Sequence, residues 1–197
     1  MTLPTVNTHP NSELMWAARG VLERAALVDL TAERSAEVMA ALAAVHDLLG
    51  EPERERLLRR PFDAVQKERE RGADARWFPT GFNPVYPQPE MRFEDDRVIA
   101  NWRSSAFDEG PPNSVHGGIS AFLIDVVAGV MIQALGIRAV TAQLDLKYRH
   151  RLPLDAEIEI VARLAEVDGR KHWVDAEITH NGVKGVTARG LFITIDV

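Results

Sequence analysis

The sequence predicts an α+β fold in which a strongly curved antiparallel sheet wraps one long central helix, behind an N-terminal helical extension. Three observations carry that prediction. The stretch NSVHGGISAFLIDVVAGVMIQALG, residues 113–136, is almost unbroken apolar sequence of helical length after its glycine pair, and a helix apolar nearly all round must be covered on most sides. The chain before residue 76 is patterned for helices and the chain after residue 90 for strands. The last strands are joined by hairpin signals, the strongest being Asn181-Gly182.

The elements follow in order. Leu14, Ala18, Val21, Leu22 and Ala25 repeat at helical spacing behind the cap candidates Asn11 and Ser12. A second helix begins after Thr31, carries Met39, Leu42, Ala43, Val45, Leu48 and Leu49, and stops at Gly50 before Pro52. EPERERLLRRPFDAVQKERERG, residues 51–72, predicts helix on either side of Pro61. RWFPTGFNPVYPQP, residues 76–89, predicts an extended wrap or linker, because proline removes donors and fixes the backbone. MRFEDDRVIANW reads as a hairpin turning at Asp95 and Asp96. After the apolar helix, VTAQLDLKYRHR (Val140 to Arg151) alternates apolar and polar residues, EIEIVARLAEV and HWVDAEITH flank Asp168-Gly169, and VKGVTARGLFITIDV closes the sheet. The expected organisation is a helical extension over 1–76 and a sheet-and-helix domain over 77–197.

Composition bounds the function. The chain of 197 residues contains no cysteine, which excludes disulfides, thiolate nucleophiles and cysteine-ligated metals. Its formal net charge of −6 argues against a general nucleic-acid binder. The mixed charges of residues 51–76 read as a solvated helix face. Asp125 and Gln133 interrupt the apolar stretch Ile119 to Leu135, which falls short of a membrane span. With no basic-then-apolar start, the expectation is a cytoplasmic protein. The histidines offer no metal-ligand spacing, and there is neither a phosphate loop nor a serine elbow.

Two features of the apolar helix concern chemistry. His116-Gly117-Gly118 opens it, and the first N–H groups of a helix lack internal partners and carry partial positive charge. Such an N–H can hold a carbonyl oxygen and stabilise an oxyanion, although a glycine pair alone points rather to tight packing against a strand. Asp125 has only Ala121, Phe122, Ala128 and Gly129 at helical neighbour positions, so no cation on its own helix can pair with it. On the residues alone it is equally a structural acid held by a strand cation or hydroxyl, or a general base or nucleophile tuned by apolar surroundings.

The pattern HGGISAFLID, with the preceding EGPPNSVHGG, Thr141 sixteen positions after the aspartate, the strand LKYRHRLPL and the turn VDGRKHW, resembles the hotdog-fold acyl-CoA thioesterases of the phenylacetic-acid-degradation and mammalian mitochondrial branches. The resemblance covers roughly residues 90 to 197 and leaves the N-terminal helices unexplained. It implies that the Gly117 N–H polarises a thioester carbonyl, His116 shapes that site, Asp125 activates water or attacks directly, and Thr141 positions the water. In this family an asparagine commonly lies six residues before the histidine; here that position is Gly110, and Asn113 is the nearest substitute. No metal or separate cofactor is expected, coenzyme A being part of the substrate. Lys147, Arg149, His150 and Arg151 on one strand, and Arg170 and Lys171 beyond a turn, are candidate phosphate partners. The resemblance favours Arg170 and Lys171, while ordinary edge-strand charge is the plainer reading of such a cluster.

Spacing adds a quaternary expectation. Gly117 and Asp125 stand about 12 Å apart along one helix, whereas attack needs reacting atoms about 3 to 3.5 Å apart. Two antiparallel copies can join Gly117 of one to Asp125 of the other, so a homodimer with two composite sites is expected, a dimer of dimers being left open. The rivals are a hotdog acyl-thioester hydratase and a non-catalytic acyl-CoA sensor or scaffold.

Overall fold

The computed structural model describes residues 11–55, 64–70, 86–87 and 89–195. Helices α1 (Asn11–Leu27) and α2 (Ala32–Leu49) come first. Thr31 caps α2, its hydroxyl accepting the Arg34 N–H at 3.2 Å. Gly50, with φ 68°, closes the helix as a left-handed C-terminal residue. No residue of α2 is buried, and Leu48 is 87% exposed.

Residues 51–55 are a bent segment and not the expected helix; Pro52 so close to Gly50 supplies no N–H to continue a helical ladder. The helix expected on the far side of Pro61 is present as α3 (Ala64–Glu70). It seats Val65 in the core and sends Arg69 Nη1 to the Ala134 carbonyl oxygen at 3.3 Å. The boundary near residue 76 and most of the proline-rich segment 76–89 lie outside the described residues.

Six strands form one antiparallel sheet in the order β1-β2-β4-β5-β6-β3. β1 (Glu90–Glu94) and β2 (Arg97–Arg103) are the expected hairpin, with Asp95 at φ 51° in its turn. β3 (Ala139–Tyr148) follows the central helix α4 (Gly117–Ala134). β4 (Glu157–Asp168) and β5 (Lys171–His180) meet at Gly169, and β5 and β6 (Val183–Thr194) at Asn181-Gly182; all three turn residues have positive φ. β3 ends at Tyr148 instead of running on to Arg151, because the Arg149 and His150 N–H groups both turn to the Gly185 carbonyl.

The sheet places alternate residues against α4, as a half-buried sheet must. Met91, Ala100, Ile160, Val174, Ile178 and Phe192 are among those packed on Leu123, Ile124, Val127 and Met131 of the helix. α4 has a mean hydropathy of 1.7, and half of it is buried inside the domain, as befits a core helix.

The cover is not complete, however. Phe122, Asp125, Val126 and Gly129 form an i, i+3, i+4, i+7 stripe that is only half-buried. The sheet encloses one flank of the helix and leaves the other open. Asp125 therefore pays no full burial cost in the protomer, contrary to what the apolar surroundings in sequence imply.

Candidate active site

The site grows from the connection between β2 and α4. Asp108, in a 3-10 turn (Ala106–Asp108), is buried, and its Oδ2 accepts both the Ser105 N–H at 2.8 Å and the Ser105 hydroxyl at 3.1 Å. Burial pushes its carboxyl above the ordinary value of 3.8, outweighing the Ser105 hydrogen bonds and the nearby Arg19 charge that oppose the shift. Its main-chain oxygen accepts the His116 N–H at 2.7 Å, and the Val115 N–H goes to the Leu152 carbonyl at 2.9 Å. The helix entrance is thereby tied to the sheet before the helix begins.

His116 is the N-cap of α4: its Nδ1 accepts the Gly118 N–H at 2.9 Å, so that nitrogen is the ring's acceptor. The neighbouring glycines are steric necessities. A Cβ on Gly118 would lie 3.0 Å from His116 Nδ1, and one on Gly110 would lie 2.7 Å from the His116 Cα. An asparagine at 110 therefore does not fit this backbone. Asn113 sits on the exposed turn after Pro111-Pro112 at φ 59°, its N–H donating to Glu109 Oε1 at 2.7 Å. Its side chain makes no hydrogen bond among the described residues.

The Gly117 N–H, the first of the helix, has no protein acceptor among the described residues. It borders a cleft of about 360 Å³ lined also by Ser120, Tyr148, Arg149, His150 and Arg151. The Tyr148 hydroxyl donates to the Gly117 carbonyl oxygen at 2.9 Å. This contact is not readable from sequence spacing; the only signal is that Tyr148 shares a strand face with Leu144 and Leu146.

On the open flank of α4 the Thr141 hydroxyl donates to Asp125 Oδ1 at 2.8 Å. Strict alternation through Val140, Ala142, Leu144 and Leu146 would send Thr141 to the far face of the sheet. A bulge prevents this: Thr141 pairs with Phe192 and Gln143 with Leu191, leaving Ala142 as the extra residue. Thr141 thus shares the helix-facing side with Phe192, and Val140 turns outward, half exposed.

Arg170 and Lys171 lie in the β4–β5 turn and at the start of β5, at the Thr141 end of the sheet, since Lys171 opposes Ile193 beside Phe192. Arg170 Nε and Nη2 both donate to the Thr194 carbonyl, at 3.2 and 2.8 Å. Both side chains are exposed and stand away from Gly117 of their own chain. Arg149, His150 and Arg151 are at the opposite, Gly117 end. Among the described residues no group of three or more His, Asp or Glu side chains is placed to hold a metal ion.

A curved antiparallel sheet around a helix that carries a capped His-Gly-Gly entrance and a half-buried acid is a hotdog fold. The Thioesterase superfamily model matches residues 112–186, which span the entrance, the acid and the hydroxyl. A solved thioesterase superfamily protein superposes with a TM-score of 0.74 at 28% identity, covering 95% of this chain and 92% of its own. A hypothetical thioesterase from Streptococcus pneumoniae TIGR4, solved with coenzyme A, shares the fold at 20% identity and a TM-score of 0.53, over 56% of this chain and 88% of that one. Acyl-coenzyme A thioesterase THEM4 of Rattus norvegicus is 31% identical over 104 residues, 52% of this chain and 45% of the relative. The Bos taurus protein of that name is 27% identical over 134 residues, 66% of this chain and 55% of the relative. The chain thus spans about half the length of the curated relatives it matches.

Proposed function

We propose that this protein is an acyl-CoA thioesterase, hydrolysing an acyl-CoA thioester to free acid and coenzyme A. The observation that carries the reading is the Thr141–Asp125 hydrogen bond on the open flank of a helix whose N-terminus presents the Gly117 N–H. Similarity to relatives named acyl-coenzyme A thioesterases supports the choice of thioester.

In this reading the Gly117 N–H binds the thioester oxygen. A water held by Asp125 and Thr141 attacks the carbonyl carbon while Asp125 takes its proton. The oxyanion collapses, the C–S bond breaks, and the proton passes to the leaving thiolate. Direct attack by Asp125, followed by hydrolysis of the mixed anhydride, needs the same residues. His116, capping the helix, keeps the Gly118 N–H occupied and so leaves Gly117 as the donor.

We also infer a homodimer. β3 is an edge strand whose outer side has no partner among the described residues, and edges of this kind are normally covered. The half-buried stripe of α4 lies on the flank that the sheet leaves open. Antiparallel pairing of β3 with its own copy would bring the Tyr148 end of one strand to the Thr141 end of the other. Gly117 of one subunit would then face Asp125 of its mate, which resolves the 12 Å problem of a single helix. Arg170 and Lys171 would contribute to each site from the aspartate-bearing chain, within reach of the coenzyme A phosphates. Asn113, on its exposed turn, contributes at most at the margin.

The test is hydrolysis of a panel of acyl-CoAs by wild type and Asp125→Asn. The variant is expected to lose about 10²- to 10⁴-fold in turnover, the usual share of a general base, while remaining dimeric and able to bind coenzyme A. Equal slow rates in both proteins would overturn the reading.

A further inference from the structure

The helix that carries the site begins with two glycines, the residues least restrained by their own sterics. An oxyanion donor, by contrast, contributes most when its direction is set before the reaction starts. Something outside the glycines must hold them.

Two side chains hold the peptide unit that joins them. His116 Nδ1 accepts the Gly118 N–H. The Tyr148 hydroxyl donates to the Gly117 carbonyl oxygen at 2.9 Å, and its ring lies so close that a Cβ on Gly117 would stand 3.4 Å from Cε1, Cζ and the hydroxyl oxygen. Between these two restraints only the Gly117 N–H is left without a partner among the described residues.

We propose that Tyr148 is a positioning residue for the thioesterase reaction: its hydroxyl anchors the Gly117 carbonyl and, with the His116 cap on the Gly118 N–H, fixes the 117–118 peptide plane, which limits rotation about the Gly117 Cα and so steadies the Gly117 N–H in the cleft. The inference rests on the thioesterase reading and deepens it. A purely structural role accounts poorly for this hydrogen bond. In the single protomer Tyr148 is 57% exposed and ends its strand, so the chain folds without needing this bond, and water could satisfy both groups there. What water could not supply is a fixed direction. The ring also walls the cleft beside the donor, together with Arg149 and Leu152.

The experiment is Tyr148→Phe, which keeps the ring and removes one exposed oxygen, assayed on an acyl-CoA that the wild type hydrolyses. The expected result is a fall in kcat of about ten-fold with KM within about two-fold of wild type, the signature of an interaction that matters in the transition state. Melting temperature and dimer mass should not change. In ¹⁵N relaxation, the Gly117 amide should drop from the rigid-backbone order parameter of about 0.85. An unchanged kcat would overturn the proposal, as would a raised KM at constant kcat, which would make Tyr148 a substrate contact. Loss of melting temperature or dimer in step with kcat would overturn it too, by making the role structural. If the wild type hydrolyses no acyl-CoA, the functional reading itself falls and takes this proposal with it; wild-type turnover with an unaffected variant sinks this proposal alone.

Discussion

Gly117 is the residue on which the chemistry can be isolated most cleanly. It occupies the first position of α4, behind His116 at φ −62°, ψ 134°. Proline is favoured at that position and requires the extended backbone that His116 already has. Gly117→Pro should therefore delete one N–H while leaving the helix in place. The expected outcome is a loss of about 10²- to 10³-fold in kcat, as for removal of one oxyanion donor, with an unchanged melting temperature by calorimetry. Retained activity would mean that the carbonyl oxygen is held elsewhere. Among the site residues, Asp125 was legible as an oddity because a lone acid in an apolar helix stands out in any sequence. Gly110 was legible only as a departure from the family pattern. Its reason, the contact that any side chain would make with the His116 backbone, needs coordinates.

At the scale of elements, the connection between β2 and α4 carries the testable electrostatics. Asp108 binds its proton more tightly folded than unfolded, because burial disfavours its charge. Such a group adds stability below its unfolded value of 3.8 and withdraws it as pH rises from there through its raised folded value. Asp108→Asn still offers an oxygen to the Ser105 N–H and carries no charge. Its melting temperature relative to wild type should climb between pH 3.5 and pH 7; a difference that stays flat with pH would mean the carboxyl is not strained by burial. Turns and hairpins were readable in advance, since Asp-Gly and Asn-Gly pairs state their backbone requirement locally. The open flank of α4 was not. Hydrophobicity says that a helix side must be covered but not which neighbour covers it, and a sheet of the same chain was the nearest supposition. Residues 51–55 were misjudged for a related reason: their dense charge favours helix, whereas Gly50 at φ 68° ends α2 and the chain bends beyond it.

At the scale of the whole molecule, a site divided between two copies makes a quantitative prediction. Asp125→Asn chains keep a working Gly117, and Gly117→Pro chains keep a working Asp125. Each variant alone should be nearly inactive. After unfolding and refolding as an equal mixture, half of the dimers should be mixed and each should hold one intact site, restoring about a quarter of wild-type activity. No recovery despite verified subunit exchange would place donor and acid in the same chain. The bulge at Ala142 sets a different kind of boundary. Because side chains alternate along a strand, the extra residue fixes the phase of everything before it. Substitutions around Thr141 can be absorbed one at a time, but deleting a single residue from the Thr141–Gln143 stretch would turn Thr141 away from Asp125 and Val140 inward. Descendants of this chain are therefore free to vary in letters here and not in length.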